Sequence, residues 1–177
     1  MKIDGFVSGT NFGTIVAVKT SHKGSKGLME LQVGTMTTRA CQTFLTMAEI
    51  EMRRAERYRI FVSLLVLDLS ILQEIVPDRT AELVDRLVDL AATRIRCTDS
   101  IAATDPYRVA LLFPETPRQS AMLAAHRLTD MVRHVLSEET GKAVDAIIPV
   151  EIVSYPDAAG AKTLAKALQD LAQKSRN

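Results

Sequence analysis

Residues 96–114 read RCTDSIAATDPYRVALLFP and contain two short apolar runs separated by a turn-forming tetrapeptide. The runs, 101–103 and 109–113, are short enough to be strands, and Thr104-Asp105-Pro106-Tyr107 lies between them. Proline presets the backbone angle φ at the second turn position, and a preceding Asp or Thr can bond to its own backbone. The stretch therefore predicts a β-hairpin.

Arg96 and Asp99 stand directly before this hairpin, three residues apart. The spacing can direct a guanidinium and a carboxylate at one ligand. The same two side chains can instead form an ion pair at a helix end, which contributes little to stability. The spacing alone leaves both interpretations open.

Composition limits the possible classes of protein. The chain has 177 residues, of which 47% are hydrophobic, and a formal net charge of +1. This length fits one domain with a modest extension, and the apolar content disfavours disorder. Acidic and basic residues are interspersed, so the charge pattern does not indicate general nucleic-acid binding.

The sequence shows no pattern typical of a metal site, a secreted protein or a membrane protein. Cys41 and Cys97 lack disulfide or metal-type spacing, and His22, His126 and His134 fit ordinary surface or boundary histidines better than a metal site. The start of the chain does not resemble a signal peptide, and no apolar run is as long as a membrane span. We therefore expect a cytoplasmic protein without bound metal or direct membrane insertion.

Residues 1–34 differ in composition from the remainder, since they hold six of the eight glycines. Residues 12–19 and 28–33 are expected to pair as a hairpin, or to form a linker extension, before a domain at residues 35–177. In that domain, hydrophobic periodicity and turn signals predict further elements. These are helices at 38–58, at 78–94 with Asp78 as cap, from 116 with Thr116 as cap, and at 163–174, and strands at 61–68 and 147–155.

This order predicts an α/β (α+β) fold in which helices flank one sheet. With an aspartate ending the first strand and a hairpin at the sheet's centre, it resembles the GGDEF domain of bacterial diguanylate cyclases, a palm-type, nucleotidyl-cyclase-like fold. The resemblance covers about residues 33–177. The motifs that carry it are VGTMTTR at 33–39, LLVLDLS at 64–70, RCTD at 96–99, FPET at 113–116, YP at 155–156 and SRN at 175–177.

The signature turn of that family is altered here, because DPYRV at 105–109 replaces Gly-Gly-Asp/Glu-Glu-Phe. Asp105 adds negative charge near a triphosphate, and Pro106 removes an N–H donor. Tyr107 is a poor ligand for a hard cation, and Arg108 would repel one. The resemblance thus implies a domain without cyclase activity and without bound Mg²⁺.

Other positions of the family's substrate site are altered or isolated. Val76 and Pro77 replace guanine-binding positions, and Ala172 replaces a phosphate-binding lysine. Asp68 and Asp85 remain, and Ser70 replaces the second acid of the strand-end motif. A lone Asp68 cannot assemble a two-metal phosphoryl-transfer site.

Arg96 and Asp99 match the family's RxxD inhibitory site, which binds cyclic di-GMP. Arg127 takes the place of the second arginine of that site, and Arg54 the place of one that some members lend to a neighbouring domain. A guanidinium suits bidentate recognition and stacking, and a carboxylate complements the N1 and N2 donors of guanine.

The sequence thus favours a catalytically inactive GGDEF-like effector that couples cyclic di-GMP binding to dimerisation or contact with a protein partner. A homodimer or ligand-bridged dimer is expected. The alternative is a protein-interaction scaffold that binds no nucleotide. A third interpretation, an active cyclase with an unusual turn, predicts cyclic di-GMP production from GTP and Mg²⁺.

Overall fold

The computed structural model describes residues 26–156 and 163–174, with side chains from Arg39 to Pro156 and from Thr163 to residue 173. In chain order the elements are α1 (Lys26–Tyr58), β1 (Val62–Asp68), α2 (Leu72–Ile75), a 3-10 helix (Pro77–Arg79), α3 (Thr80–Ala92), β2 (Ser100–Asp105), β3 (Arg108–Pro114), α4 (Arg118–Thr140), β4 (Val150–Tyr155) and α5 (Leu164–Lys174).

The sheet is antiparallel, with strand order β2-β3-β1-β4. β1 is an inner strand that pairs with both β3 and β4, and its first six residues are buried. The buried polar residue Ser63 is satisfied, because its hydroxyl donates to the carbonyl of Thr116 at 2.8 Å and shares a hydrogen bond with Ser154. The predicted central strand and the predicted hairpin are both confirmed.

Helices cover both faces of this sheet because side chains alternate along each strand. Leu65 and Leu67 of β1 pack with α3 and α4 on one face. Leu64 and Val66 pack with α1 and α5 on the other. The mixed helix-and-sheet architecture is therefore the predicted palm-type arrangement, in which every long helix has a buried side.

The expected amino-terminal strand is wrong, because residues 28–33 lie in α1. Glycines at 27 and 34 and a run of threonines weaken the apolar periodicity there, and both residue types have low helix propensity. The other expected strand, 12–19, lies outside the described residues. The domain boundary at residues 34 and 35 stays a prediction, although α1 passes through it without a break.

Two predicted helix caps are also wrong. Pro77 starts a 3-10 turn, so α3 begins after Asp78, and Arg79 occupies the N-cap position without a side-chain hydrogen bond. The hydroxyl of Thr116 bonds to the carbonyl of Pro114 at 2.9 Å, which directs it towards the preceding strand. Pro117 consequently takes the N-cap position of α4.

No helix in the described part of the chain is both long and apolar enough to cross a membrane.

Gly141 ends α4 in the left-handed conformation with φ of 66°, and nothing lies within 4 Å of the place where a Cβ would stand. We predict that Gly141→Ala lowers the free energy of unfolding by about 1 kcal/mol through backbone strain alone. Arg59 is the opposite case, because it is a non-glycine residue in the left-handed conformation, with φ of 56°. Arg59→Gly should leave the free energy of unfolding unchanged or slightly higher. Urea denaturation measures both variants, and an equal loss of stability in both would contradict the role of backbone strain.

Candidate functional site

The end of β1 and the start of β3 bring opposite charges together. Asp68 and Arg108 are direct cross-strand partners in the antiparallel register. Their side chains therefore project from the same face of the sheet, the face covered by α1 and α5. Asp105, the last residue of β2, joins them from the other strand of the hairpin.

Arg108 forms ion pairs with both carboxylates. Its Nε lies 3.5 Å from Oδ2 of Asp68, and its Nη1 lies 3.2 Å from Oδ2 of Asp105. All three side chains are partly buried, so this interaction is screened less than one at the open surface. One guanidinium thus partly neutralises two carboxylates that would otherwise repel each other.

The hairpin tip is fastened to β1 by backbone groups. The N–H of Tyr107 donates to Oδ1 of Asp105 at 2.8 Å, which is the side-chain turn expected for an aspartate at this position. The carbonyl of Tyr107 accepts from the N–H of Leu69 at 2.6 Å. Pro106 is exposed at the tip. The tip is therefore held by hydrogen bonds on both sides of the turn.

Competing influences set the pKa of Asp68. Partial burial raises this pKa, but hydrogen bonds from Ser70 and the positive charge of Arg108 together lower it by more. The backbone N–H of Ser70 donates to Oδ1 of Asp68 at 3.0 Å. The net result is a pKa below the ordinary value, so Asp68 is a carboxylate at neutral pH.

A divalent cation approaching Asp68 and Asp105 would meet the charge of Arg108 between them. Among the described residues, no group of three or more His, Cys, Asp or Glu side chains is placed to hold a metal ion. A cavity of about 30 Å³ beside Arg108, between β1, β4 and α5, also contacts Glu151 and Asp170. This volume suits a single water molecule.

Arg96 and Asp99 are brought together in the loop between α3 and β2. The N–H of Arg96 donates to Oδ2 of Asp99 at 2.9 Å, and the N–H of Asp99 donates to the Arg96 carbonyl at 3.0 Å. Oδ1 of Asp99 is buried and has no hydrogen-bond partner among the described residues. Burial raises the pKa of Asp99, against the lowering effects of the Arg96 N–H and of its charge.

The three predicted arginines lie on different elements of the fold. The guanidinium of Arg96 makes no hydrogen bond or ion pair in the described chain, nor does that of Arg127, and both residues are exposed. Arg127 lies on α4, which covers the same face of the sheet as α3, the helix that leads into Arg96. Arg54 lies on α1, over the opposite face, where its Nη1 contacts Glu51 at 2.8 Å. That pairing raises the pKa of Arg54.

Three further positions that the resemblance assigns to a substrate site, Val76, Pro77 and Asp85, lie on α3 and in the segment before it. Asp85 lies on α3, and no hydrogen bond or ion pair among the described residues joins it to Asp68. Partial burial and the charge of Asp89 raise the pKa of Asp85. Val76 and Pro77 lie between α2 and α3, where Pro77 starts the 3-10 turn.

Sequence reasoning missed two charged arrangements. Asp68 was expected to be isolated, but the strand register places Arg108 opposite it, and an alignment of the two strands would have revealed the pair. A second network joins α3 to α4, since Arg79 and Arg86 both contact Glu139. These contacts span 60 and 53 residues of sequence, and no local pattern reveals them.

Comparison with solved structures identifies the fold. A Thermotoga maritima protein described as a DGC protein matches with a TM-score of 0.55 and 14% identity, covering 75% of this chain and 91% of that one. The GGDEF domain of TpbB (YfiN) from Pseudomonas aeruginosa matches with a TM-score of 0.53 and 20% identity, covering 76% and 80%.

A third match is the diguanylate cyclase SiaD of Pseudomonas aeruginosa, solved in complex with its activator SiaC. Its TM-score is 0.54 at 18% identity, over 84% of this chain and 64% of that one. Comparisons of the sequence with protein-family models and with curated proteins found no match. The described chain therefore has the fold of a GGDEF domain.

We predict that Arg108→Ala lowers the free energy of unfolding by about 1 kcal/mol at pH 7, because it leaves Asp68 and Asp105 without their shared cation. The folded-state pKa of Asp68 lies below its ordinary value of 3.8. The stabilisation is thus fully present above that value and is lost as the pH falls through the lowered pKa.

Urea denaturation at pH 7 and at pH 2.5 would measure this difference, with Arg108→Lys as the variant that keeps the charge. The penalty of Arg108→Ala should shrink at the lower pH. A penalty that is the same at both values would show that packing, rather than charge, accounts for the contribution of Arg108.

Proposed function

We propose that this chain is a catalytically inactive GGDEF-fold domain that binds cyclic di-GMP through Arg96, Asp99 and Arg127. Ligand binding is coupled to dimerisation or to contact with a protein partner. The observation that carries the proposal is the Arg96–Asp99 turn, which combines a guanidinium without an ion-pair partner and a carboxylate oxygen without a hydrogen-bond partner among the described residues.

The ion pairs of Arg108 support the absence of catalysis. Phosphoryl transfer to a nucleotide needs divalent cations that neutralise the developing charge of the phosphates. Arg108 contacts both Asp68 and Asp105, so a cation would have to displace a guanidinium that belongs to the chain itself. The carbonyl of Tyr107 is engaged with Leu69, which leaves the tip little freedom to rearrange around a triphosphate.

The Arg96–Asp99 turn supports guanine recognition at a low cost of rearrangement. The Watson–Crick edge of guanine presents N1–H and N2–H donors, and its O6 and N7 accept from a guanidinium. To meet the donors, the Asp99 carboxylate must rotate outwards and give up the hydrogen bond to the Arg96 N–H. Oδ1 has no hydrogen-bond partner to lose within the described part of the chain, and the rotation also relieves the burial that raises the pKa of Asp99.

The position of Arg127 supports the proposal of a ligand larger than one base. It lies on α4, on the same side of the sheet as the turn, and its guanidinium is exposed without an ion pair in the described chain. A second arginine suits the phosphates of a cyclic dinucleotide, since guanidinium binds phosphate oxygens in a bidentate manner. Arg54, on the opposite face, is assigned to a ligand held by a neighbouring copy.

The alternative function is a scaffold that binds a protein partner and no nucleotide. SiaD, which matches this fold, is solved in complex with its protein activator SiaC, and this supports a protein contact made by a domain of this fold. Exposed Met122 and Leu123 on α4 would then belong to the contact surface. Copurification with a partner that is insensitive to cyclic di-GMP would favour this alternative. In either case we assign the protein to the cytoplasm.

Calorimetric titration with cyclic di-GMP at micromolar protein tests the proposal. Wild type should release or absorb binding heat, and Arg96→Ala should weaken binding by about 10-fold to 100-fold, because charged hydrogen bonds contribute about 1.5–3 kcal/mol. Asp99→Asn should weaken it similarly while keeping the turn, since the amide oxygen can still accept from the Arg96 N–H.

Arg53→Ala, on the solvent-facing side of α1, serves as the matched arginine control and should bind like wild type. The absence of heat with wild type, or an unchanged affinity in Arg96→Ala, would rule out this site.

A further inference from the structure

Charged side chains join α3 to α4 at the carboxyl end of α4. Arg79 and Arg86 donate to Glu139, each to a different oxygen of its carboxylate. The side chain of Glu139 is 13% exposed, whereas those of Arg79 and Arg86 are 49% and 43% exposed. The carboxylate thus lies between two cations and largely away from solvent, where salt screens ion pairs less than at the open surface.

Each guanidinium is also held by a second carboxylate. Nε and Nη2 of Arg79 donate to the two oxygens of Glu82, both at 3.1 Å. Nη2 of Arg86 donates to Oε2 of Glu138 at 3.2 Å. A guanidinium is a planar fork, so contacts with two carboxylates fix its orientation as well as its position. The link between the helices is therefore directional, which apolar packing is not.

The order of elements makes α3 and α4 antiparallel. α3 comes after the end of β1, at the hairpin tip, and leads into β2, which starts at the opposite end of the sheet. α4 comes after the end of β3, away from the tip, and leads into β4, which starts beside the end of β1. Both helices cover the same face of the sheet. They therefore run in opposite directions, which agrees with the contact of Glu139, near the end of α4, with Arg79 and Arg86 near the start of α3.

This contact determines which residues of the two helices lie level with each other. A helix advances about 1.5 Å per residue, so Arg127 lies about 18 Å along α4 from Glu139. The last residue of α3, Ala92, lies about 14 Å along α3 from the middle of the contact, and the Arg96–Asp99 turn follows it. In antiparallel helices both distances run in the same direction from the contact. The turn therefore lies close to the level of Arg127.

The distance between the contact and the ligand site makes the site sensitive to the crossing angle of the helices. Packed helices cross at angles that scatter by about 15–20° around the preferred values. A change of about 10° in this angle would move Arg127 by about 3 Å relative to the turn. Recognition of one ligand by groups on two elements needs placement within about 0.5 Å. A directional link holds the angle better than apolar packing alone, and that link passes through Glu139.

We infer that Glu139 is a positioning residue, which fixes α3 against α4 and thereby sets the spacing between the Arg96–Asp99 turn and Arg127. Because Glu139 lies about 18 Å along α4 from Arg127, it acts through the helices and not by touching the ligand. The spacing exists without ligand, whereas its use in binding cyclic di-GMP rests on the proposed function.

Paramagnetic relaxation enhancement tests the spacing without any nucleotide. Cys97 lies inside the turn and is exposed, whereas Cys41 is buried, so a nitroxide can be attached to Cys97 of the unaltered chain. In the wild type this label should broaden the amide signals around Arg127 more than those around Glu139. Glu139→Gln should reduce the broadening at Arg127 about twofold, since a carboxamide cannot pair with two guanidiniums and the helices then change their crossing angle.

Calorimetric titration of the unlabelled proteins tests the connection with the ligand. Glu139→Gln should bind cyclic di-GMP about 10-fold more weakly than wild type, and thermal denaturation should show that the variant is folded. Arg86→Lys keeps the charge but loses the planar fork, so it should change both measurements in the same direction by a smaller amount. Glu49→Gln is the matched control, because the ion pair of Glu49 with Arg53 lies within α1. It should behave like wild type in both measurements.

Unchanged broadening at Arg127 in Glu139→Gln would overturn the inference, as would a Glu139→Gln variant that binds cyclic di-GMP as tightly as a binding wild type. Equal changes in Glu49→Gln would indicate a general loss of stability and would also overturn it. A wild type that binds no cyclic di-GMP would contradict the proposed function alone, and the relaxation measurement would still decide whether Glu139 sets the spacing.

Discussion

The antiparallel register between β1 and β3 is the constraint on which the remainder of this structure depends. It places Leu65 opposite Leu111 and Leu67 opposite Val109, so that apolar side chains from both strands enter the same core. A shift by one residue would move each of these side chains to the other face of the sheet. The same register sets Arg108 opposite Asp68 and so determines the charge at the hairpin tip.

The two ends of the hairpin segment consequently have different properties. At the tip, every charged group has a partner: Arg108 contacts both Asp68 and Asp105, and Tyr107 is held through its backbone. Before the hairpin, the guanidinium of Arg96 has no ion pair with any described residue, and Oδ1 of Asp99 has no hydrogen-bond partner among them. Ligand recognition needs groups whose hydrogen bonds are not already satisfied, so the segment before the hairpin is the better candidate for binding.

Local patterns in the sequence were sufficient for the sheet, and they failed where distant residues decide the outcome. The run from Leu64 to Leu67 and the turn at Pro106 predicted β1 and the hairpin correctly, because burial and turn chemistry act within a few residues. The pairing of Asp68 with Arg108 depends on strand register, and the contact of Arg79 with Glu139 spans 60 residues. The inward orientation of Asp99 depends on packing around its loop, which residue spacing does not encode.

The central claim is that the chain binds cyclic di-GMP before the hairpin and not at its tip. Nuclear magnetic resonance of the ¹⁵N-labelled chain, titrated with cyclic di-GMP, measures both places at once. The account predicts shifts of the amides at residues 96–99 and around Arg127, with the amides at 105–108 unchanged. Shifts centred on the tip, or no shifts at saturating ligand, would contradict it.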